Sequence, residues 1–246
     1  MVSTVSPSFF IYWYMQTIKT LPSYSIVNYK YPITADNPIG IAYGYAFDRS
    51  LLECNYHGLS VASTLQYFKD EFLRMMNGYS NSITQEQLQQ ILQQASMMLL
   101  AYKQTPIYKQ SLLRPKTRVV VINDAVGVYM QPDFYDPLND VFYEVKSYPL
   151  RKDEYMFKRL CYQVKLYQLA YPKSKAVAVG FCNGNGSNNG NGYELLELPS
   201  LTPREKLQLL QEIIEMVRSA DTQIQVREED IDTVVLDREA VFYKLN

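Results

Sequence analysis

The chain has 246 residues, a mass of 28.6 kDa and a formal net charge of −1; 47% of its residues are apolar and 20% are charged. This composition is typical of a globular domain with one substantial core, and it excludes a disordered or low-complexity chain. No run of 18 apolar residues occurs, which excludes a membrane-spanning helix, so we expect a cytoplasmic protein without a membrane partner.

The first predicted element is a helix over residues 6–19. Ser6 is a suitable N-cap, and Pro7 follows it at the first helical position, where its fixed φ and missing N–H are tolerated. The apolar run at residues 9–15 lacks the basic flank and the small-residue cleavage site of a signal peptide. We therefore interpret this segment as a helix of the mature protein.

Three more helices are predicted in the first half of the chain. The spacing of apolar residues predicts the first two at about residues 43–53 and 59–76. Thr84, followed three residues later by a glutamine, has the capping-box pattern that begins a helix, and the apolar periodicity continues to about Tyr102. We interpret residues 1–112 as an N-terminal helical lobe that belongs to the same domain as the rest of the chain.

The second half of the chain predicts a sheet. Short runs rich in β-branched and aromatic residues predict five strands, at residues 118–122, 126–130, 141–146, 176–181 and 193–198. A helical pattern over residues 153–171 separates the third and fourth strands, and this order implies a right-handed crossover to a parallel neighbour. Thr202 and Pro203 begin a last helix that extends to about Ser219, and residues 231–245 fit either a strand or a helix.

The predicted fold class is therefore α/β, with a central mixed β-sheet flanked by helices and an N-terminal helical lobe. Residues 113–246 would form the sheet-containing core, including the C-terminal helix. The run of asparagine and glycine at residues 183–192 is not followed by a helix or by Lys-Ser/Thr, so it is not a phosphate-binding loop. We interpret it as a flexible hairpin loop between two strands.

The most informative motif is Pro132-Asp133, followed eleven residues after the aspartate by Glu144-Val145-Lys146. If the strands at 126–130 and 141–146 are adjacent, the carboxylates of Asp133 and Glu144 converge, and Lys146 lies on the same face as Glu144. Two partly buried carboxylates repel each other unless a cation lies between them, and hard oxygen ligands suit Mg²⁺ or Mn²⁺. A lysine beside such a site can hold an attacking water. Together, the metal ligands and the lysine are the groups that phosphodiester hydrolysis requires.

The helix that follows this motif adds a second pattern. Gln163 and Tyr167 are four residues apart, so they share a helix face. Together with Asp133 and Glu144-Val145-Lys146, this Gln-x-x-x-Tyr pattern resembles the PD-(D/E)xK nuclease superfamily, specifically its RecB-like branch of CRISPR-associated and viral exonucleases. The resemblance implies a restriction-endonuclease-like core. It also implies that Gln163 and Tyr167 position either the phosphate or Lys146.

Upstream residues extend the resemblance. Ser6-Pro7-Ser8 resembles the opening of the branch's first helix, and Gly44 begins a match to a Gly-x-x-x-His motif whose histidine binds metal. Asp48 stands where that histidine is expected, and a carboxylate can replace imidazole around a hard cation. Two other residues compete for this role: Glu53, about 140° further around a helix, and His57, the only histidine.

These motifs together imply a metal-dependent deoxyribonuclease. Asp133, Glu144, the carbonyl of Val145 and Asp48 would hold Mg²⁺ or Mn²⁺, and Lys146 would orient or deprotonate the attacking water. The resemblance implies DNA as partner, as single strands or ends, and allows a homo-oligomer. Two alternatives stay open: a catalytically inactive DNA-binding or assembly subunit of a repair, replication or CRISPR-adaptation complex, and a sequence-specific restriction endonuclease.

Basic residues cluster around the predicted site although the net charge is near zero. Residues 101–180 contain 13 Lys and Arg against 7 Asp and Glu, whereas the rest of the chain contains 11 against 18. This excess is expected where phosphates bind. The candidate DNA-binding residues are Arg151, Lys152, Lys158 and Arg159.

The three cysteines, Cys54, Cys161 and Cys182, show no Cys-x-x-Cys spacing. This argues against a zinc ribbon and against the iron–sulfur cluster that many CRISPR-associated relatives hold through four cysteines. It also favours a reducing compartment.

Overall fold

A computed structural model of the chain describes residues 3–5, 38–77, 83–109, 112–115, 118–122, 126–151, 154–182, 192–220 and 239–243. The helix predicted over residues 6–19 and the Ser6-Pro7-Ser8 match lie outside the described residues. So does the asparagine- and glycine-rich segment, apart from Cys182 and Gly192 at its two ends.

Three helices form the described part of the N-terminal lobe: α1 (Pro38–His57), α2 (Val61–Met76) and α3 (Gln85–Gln104), followed by a short 3₁₀ turn at Pro106–Lys109. Ser60 caps α2 by accepting a hydrogen bond from the Ser63 N–H, and the capping box predicted at Thr84 is present. The second and third helices confirm their predictions to within two residues. The first is longer than predicted at both ends, because Pro38 is tolerated at its first turn and Gly58 follows its last residue.

The strands form two four-stranded sheets. One contains β1 (Ser3–Val5), β2 (Arg118–Ile122), β3 (Val126–Met130) and β8 (Glu239–Tyr243), in the order β1-β3-β2-β8. The other contains β4 (Phe134–Asp136), β5 (Val141–Lys146), β6 (Lys175–Phe181) and β7 (Tyr193–Leu198), in that order. Helix α4 (Glu154–Ala170) connects β5 to β6, and helix α5 (Pro203–Ala220) follows β7.

The sheet that contains β5 is mixed, as predicted: β4 and β5 are antiparallel, β5 and β6 are parallel, and β6 and β7 are antiparallel. The α/β class and a mixed sheet flanked by helices are thus confirmed. The expectation that residues 126–130 lie beside residues 141–146 is wrong, because β3 belongs to the other sheet. The neighbour of β5 is β4, a three-residue strand too short for the periodicity of the sequence to indicate. The described part of the ambiguous C-terminal segment is a strand.

Strand β5 is buried on both faces. Val141, Tyr143 and Val145 face the core that the N-terminal helices share with β6, whereas Phe142 faces a second core formed with α4. Most residues of β5 are apolar because the strand packs against a different core on each face. Helix α4 contacts β2 and β3 of the other sheet as well. Among the described residues, no helix is both long enough and apolar enough to cross a bilayer.

Candidate active site

The candidate site lies where β5 ends. Glu144 and Lys146 alternate with Tyr143 and Val145, so they share the face of β5 that carries Phe142. Only 2% of the Glu144 side chain and 19% of the Lys146 side chain are exposed, and Lys146 Nζ donates a hydrogen bond to Glu144 Oε1. The two side chains carry charges of opposite sign, and their pairing offsets part of the free-energy cost of removing each charge from water.

Asp133 reaches this site from the edge of β4. Its Oδ2 accepts a hydrogen bond of 2.7 Å from the Val145 N–H. Asp133 comes just before the first residue of β4, so its carboxylate accepts the bond that a backbone carbonyl of a longer β4 would accept. The N–H and C=O of one strand residue point to the same side, so the Val145 carbonyl is directed toward this edge too. The fold thus brings three predicted metal ligands, Asp133, Glu144 and Val145, to one end of β5.

The two carboxyl groups of Asp133 and Glu144 are near enough to share a hydrogen bond. Burial, together with the charge of Asp133, raises the pKa of Glu144 to about 8. Burial also raises the pKa of Asp133, although Lys146 and the Val145 N–H act in the opposite direction. Glu144 Oε2 is buried and receives no hydrogen bond from any donor among the described residues. Two carboxyl groups this close require either a proton or a cation between them.

Asp136 shows that a raised pKa is not a general property of the buried acids in this protein. Asp136 is also buried, but its oxygens accept hydrogen bonds from the N–H groups of Leu138 and Asn139 and from the Asn139 amide. The Asn139 amide and these backbone donors lower the pKa of Asp136. This satisfied carboxylate holds the turn between β4 and β5, whereas Glu144 Oε2 has no such donor in the part of the chain that the structure describes.

Asp48 completes the cluster from helix α1. It is exposed, yet the surrounding protein and the charge of Asp133 raise its pKa well above the usual range, while Lys146 acts in the opposite direction. Asp48 therefore lies within electrostatic reach of Asp133, Glu144 and Lys146. The rival residues do not reach this place: His57 Nε2 lies 3.3 Å from Glu53 Oε2, and the two side chains pair on the outer surface of α1.

Whether this cluster can bind a divalent cation depends on how many protein ligands that cation requires. The described residues contain no group of three or more His, Cys, Asp or Glu side chains already arranged around a common metal position. Mg²⁺ does not require such a cage, because it is usually bound by one or two carboxylates and retains several waters. Asp133, the unsatisfied oxygen of Glu144 and the Val145 carbonyl are the hard donors that this ion prefers.

Helix α4 packs on β5 through its aromatic residues. The Tyr167 ring is buried and packs edge-to-face on Phe142, and its hydroxyl accepts a 2.8 Å hydrogen bond from Gln163 Nε2. The structure thus gives Tyr167 a supporting position in the core, from which its hydroxyl holds the Gln163 side chain.

The predicted DNA-binding residues do not all face the site. The Arg151 guanidinium lies over the Phe157 ring at 5.3 Å, and Lys158 forms an exposed ion pair with Glu154. The positive charge of Arg159 acts on Tyr148, which also lies within electrostatic reach of Lys146 and Glu144. Lys152 lies outside the described residues.

Tyr148 is a site residue that the sequence did not single out. It lies within electrostatic reach of Lys146, Arg159, Glu144 and Asp48, and burial raises its pKa. The signal was its position two residues after Lys146, but tyrosine occurs 22 times in the chain, so composition could not select it.

The loop that carries Tyr148 is fixed from the opposite side by β6 and β7. The Leu150 N–H donates a hydrogen bond to the carboxylate of Glu194. Gly180 allows the loop to approach, because a Cβ at this position would lie 2.6 Å from Leu150 Cγ and 2.9 Å from its backbone nitrogen. Neither residue was predicted, since their role depends on the path of a loop over the sheet.

No protein-family model matches the chain, and no curated protein matches it. The class that fold and site define is an α/β protein with an acidic cluster and one lysine at the end of a buried central strand.

Proposed function

We propose that this protein is a metal-dependent deoxyribonuclease with a restriction-endonuclease-like core. The observation that carries the proposal is the convergence of Asp48, Asp133, Glu144 and Lys146 at the end of β5, although they come from separate elements. A structural ion pair needs one acid for one lysine. Three carboxylates within electrostatic reach of one lysine leave negative charge that favours a divalent cation.

Asp133, Glu144 and the Val145 carbonyl would hold Mg²⁺ or Mn²⁺, with Asp48 as a further ligand at the open side. The bound ion would stabilise negative charge on the phosphate and lower the pKa of a coordinated water. Lys146 carries three donor hydrogens, and one is used by Glu144 Oε1. The others can orient the attacking water or a phosphate oxygen, which is the role that the PD-(D/E)xK resemblance implies for this lysine.

Gln163, Arg159 and Tyr148 occupy the substrate side of the site in this proposal. Arg159 can bind a phosphate oxygen, and Gln163, held by Tyr167, can position either the phosphate or Lys146. DNA as single strands or ends is the substrate class that the resemblance implies, and a homo-oligomer is compatible with it.

The experiment that tests the proposal is cleavage of end-labelled single-stranded, double-stranded and circular DNA with Mg²⁺ or Mn²⁺. Metal-dependent products that shorten from free ends would support an exonuclease, whereas discrete fragments from circular DNA would indicate a restriction-type endonuclease. Absence of cutting on all three substrates would contradict the proposal.

Asp48 supplies a matched test on one helix. We expect Asp48→Asn to lower the cleavage rate at limiting Mn²⁺ by about 10- to 100-fold, because it removes one charge from the metal side of the cleft. Glu53→Gln makes the same chemical change five residues away, outside the cluster, and is expected to cleave at the native rate. Equal effects of the two substitutions would remove Asp48 from the site.

A second candidate function is a catalytically inactive DNA-binding or assembly subunit of a repair, replication or CRISPR-adaptation complex. Two observations favour it: Lys146 already neutralises Glu144, and the described residues hold no ready-made group of three metal-binding side chains. Calorimetric titration with Mn²⁺ separates the two candidates. We expect saturable binding that Glu144→Gln abolishes; native protein that binds DNA but no Mn²⁺ would favour the inactive subunit.

A further inference from the structure

Two arginines of the N-terminal lobe stack on one tyrosine. The Arg49 guanidinium on α1 lies 5.2 Å from the centre of the Tyr45 ring, and that of Arg74 on α2 lies 5.9 Å from it. Both remain accessible, since 49% and 56% of their side chains are exposed. These contacts hold both guanidinium groups beside the ring, and Arg74 also forms a hydrogen bond with the Tyr45 side chain.

One carboxylate balances these two cations. Arg74 donates two hydrogen bonds to Glu71, at 2.8 and 3.2 Å, and Arg49 Nη1 lies 3.6 Å from the same carboxylate. The bonds from Arg74 lower the pKa of Glu71, so it is charged at neutral pH. The group formed by Tyr45, Arg49, Glu71 and Arg74, here called the arginine–tyrosine patch, therefore carries an excess of one positive charge.

The patch adjoins the acidic cluster. Tyr45 lies three residues before Asp48 on α1, and side chains at this spacing are neighbours on the helix surface, with Cβ atoms about 5–6 Å apart. Asp48 in turn lies within electrostatic reach of Tyr148 and of Glu144 and Lys146 on β5. An extended polyanion leaving the cleft past Asp48 meets the two guanidinium groups within one helical turn.

We propose that the arginine–tyrosine patch binds the single-stranded nucleic acid that extends from the cleft, with Arg49 and Arg74 on its phosphates. This inference rests on the proposed function for the identity of the partner. The ring of Tyr45 holds both guanidinium groups in place. Such an arrangement suits a single strand, because cations bind its phosphates and its unpaired bases stack on planar side chains.

The competing explanation is that these residues only clamp α1 to α2, since Arg49 also interacts with Tyr67. A reciprocal pair of substitutions separates the two roles. Arg74→Gln and Glu71→Gln break the same ion pair, so a clamp predicts that both act in the same direction. A binding surface predicts opposite effects, because the first removes a cation and the second leaves both cations without their counter-charge.

The measurement is fluorescence anisotropy of a labelled oligothymidylate at several salt concentrations, in EDTA so that no strand is cut. We expect Arg74→Gln to flatten the slope of log K against log salt by about 0.7, equivalent to about a fivefold loss of affinity at 0.1 M relative to 1 M. Glu71→Gln is expected to bind more tightly than the native protein. Arg204→Gln, the same change at an exposed position on α5, controls for net charge and should leave the slope unaltered.

Two results would overturn the inference: shifts of the same direction in both patch variants, or no shift in either. Thermal unfolding of each variant checks that the fold is retained. The comparison in EDTA requires neither metal nor cleavage. Failure of the proposed nuclease would therefore appear separately, as native protein without metal-dependent cutting.

Discussion

Replacement of Lys146 by methionine is expected to lower the rate of metal-dependent DNA cleavage by about 10²- to 10³-fold, the loss usual for removing one preorganised donor from a hydrolytic site. Methionine preserves most of the length and volume of the side chain, so the loss would come from the missing ammonium group. Cleavage is measured on an end-labelled single strand at saturating Mn²⁺. Native-rate cutting by this variant would contradict the assignment of Lys146.

The control for Lys146 is Lys175, an exposed lysine at the opposite end of the sheet. Lys175 begins β6 and lies opposite Val141, the first residue of β5, with its Nζ 4.0 Å from Glu197. Lys175→Met removes the same charge far along the strand from the site, and it is expected to retain native activity. A similar loss in both variants would indicate a general effect of charge.

The stability of the Lys146 variant tests the electrostatics of the cluster. Breaking a buried ion pair by removing one partner typically costs about 3–5 kcal/mol. We expect a smaller loss here, because the raised pKa of Glu144 allows this carboxyl to take up a proton once its cation is gone. Loss of Lys146 removes the charge that lowers this pKa, so the neutral form of Glu144 becomes more favourable still. Urea unfolding at neutral pH measures the difference.

The helices were predictable where local signals mark them. Thr84 and Thr202 each begin a helix through a capping box with a partner three residues later, and both boxes form in the structure. These interactions involve only neighbours along the chain, so their pattern is visible in the sequence. The parallel pairing of β5 with β6 followed equally from the helix between them.

The pairing of strands was not predictable to the same degree. Alternation and residue type indicate that a strand exists, but they do not identify its neighbour, so β3 was assigned to β5 although it pairs with β1 and β2. The carboxylate of Asp133 nevertheless reaches the predicted place, because the short strand β4 supplies the edge that β3 was expected to form. The prediction that Asp133 and Glu144 converge used only their separation of eleven positions along the chain. That spacing is compatible with either β3 or β4 as the neighbour of β5.

Contacts between distant segments account for what the sequence could not indicate. The basic cluster indicated Arg159 but not its proximity to Tyr148, and Arg49 and Arg74 share Tyr45 only because α1 packs on α2. Asp48 was predicted through the family resemblance, at the position of a histidine, and the fold brings it within electrostatic reach of Asp133.

The second large effect is expected at Gly180, where the sheet supports the loop of Tyr148. A Cβ here would lie 2.9 Å from the backbone nitrogen of Leu150, and a backbone atom cannot move aside as the end of a side chain can. We expect Gly180→Ala to destabilise the protein by about 1–3 kcal/mol, as overpacking of a filled core does. Because the loop must shift to relieve the contact, cleavage per folded molecule should fall as well.

Gly44 provides the matched control for Gly180. It lies inside helix α1, and a Cβ there would meet its nearest neighbour, Ser147 Oγ, at an ordinary 4.0 Å. Gly44→Ala is therefore expected to stabilise the protein by about 0.5–1 kcal/mol, since alanine is the better helix former. Urea unfolding of both variants should show shifts of opposite sign. A neutral Gly180→Ala with native cleavage would mean that the loop after Lys146 is not held by its approach to β6, and that Tyr148 is positioned by other contacts.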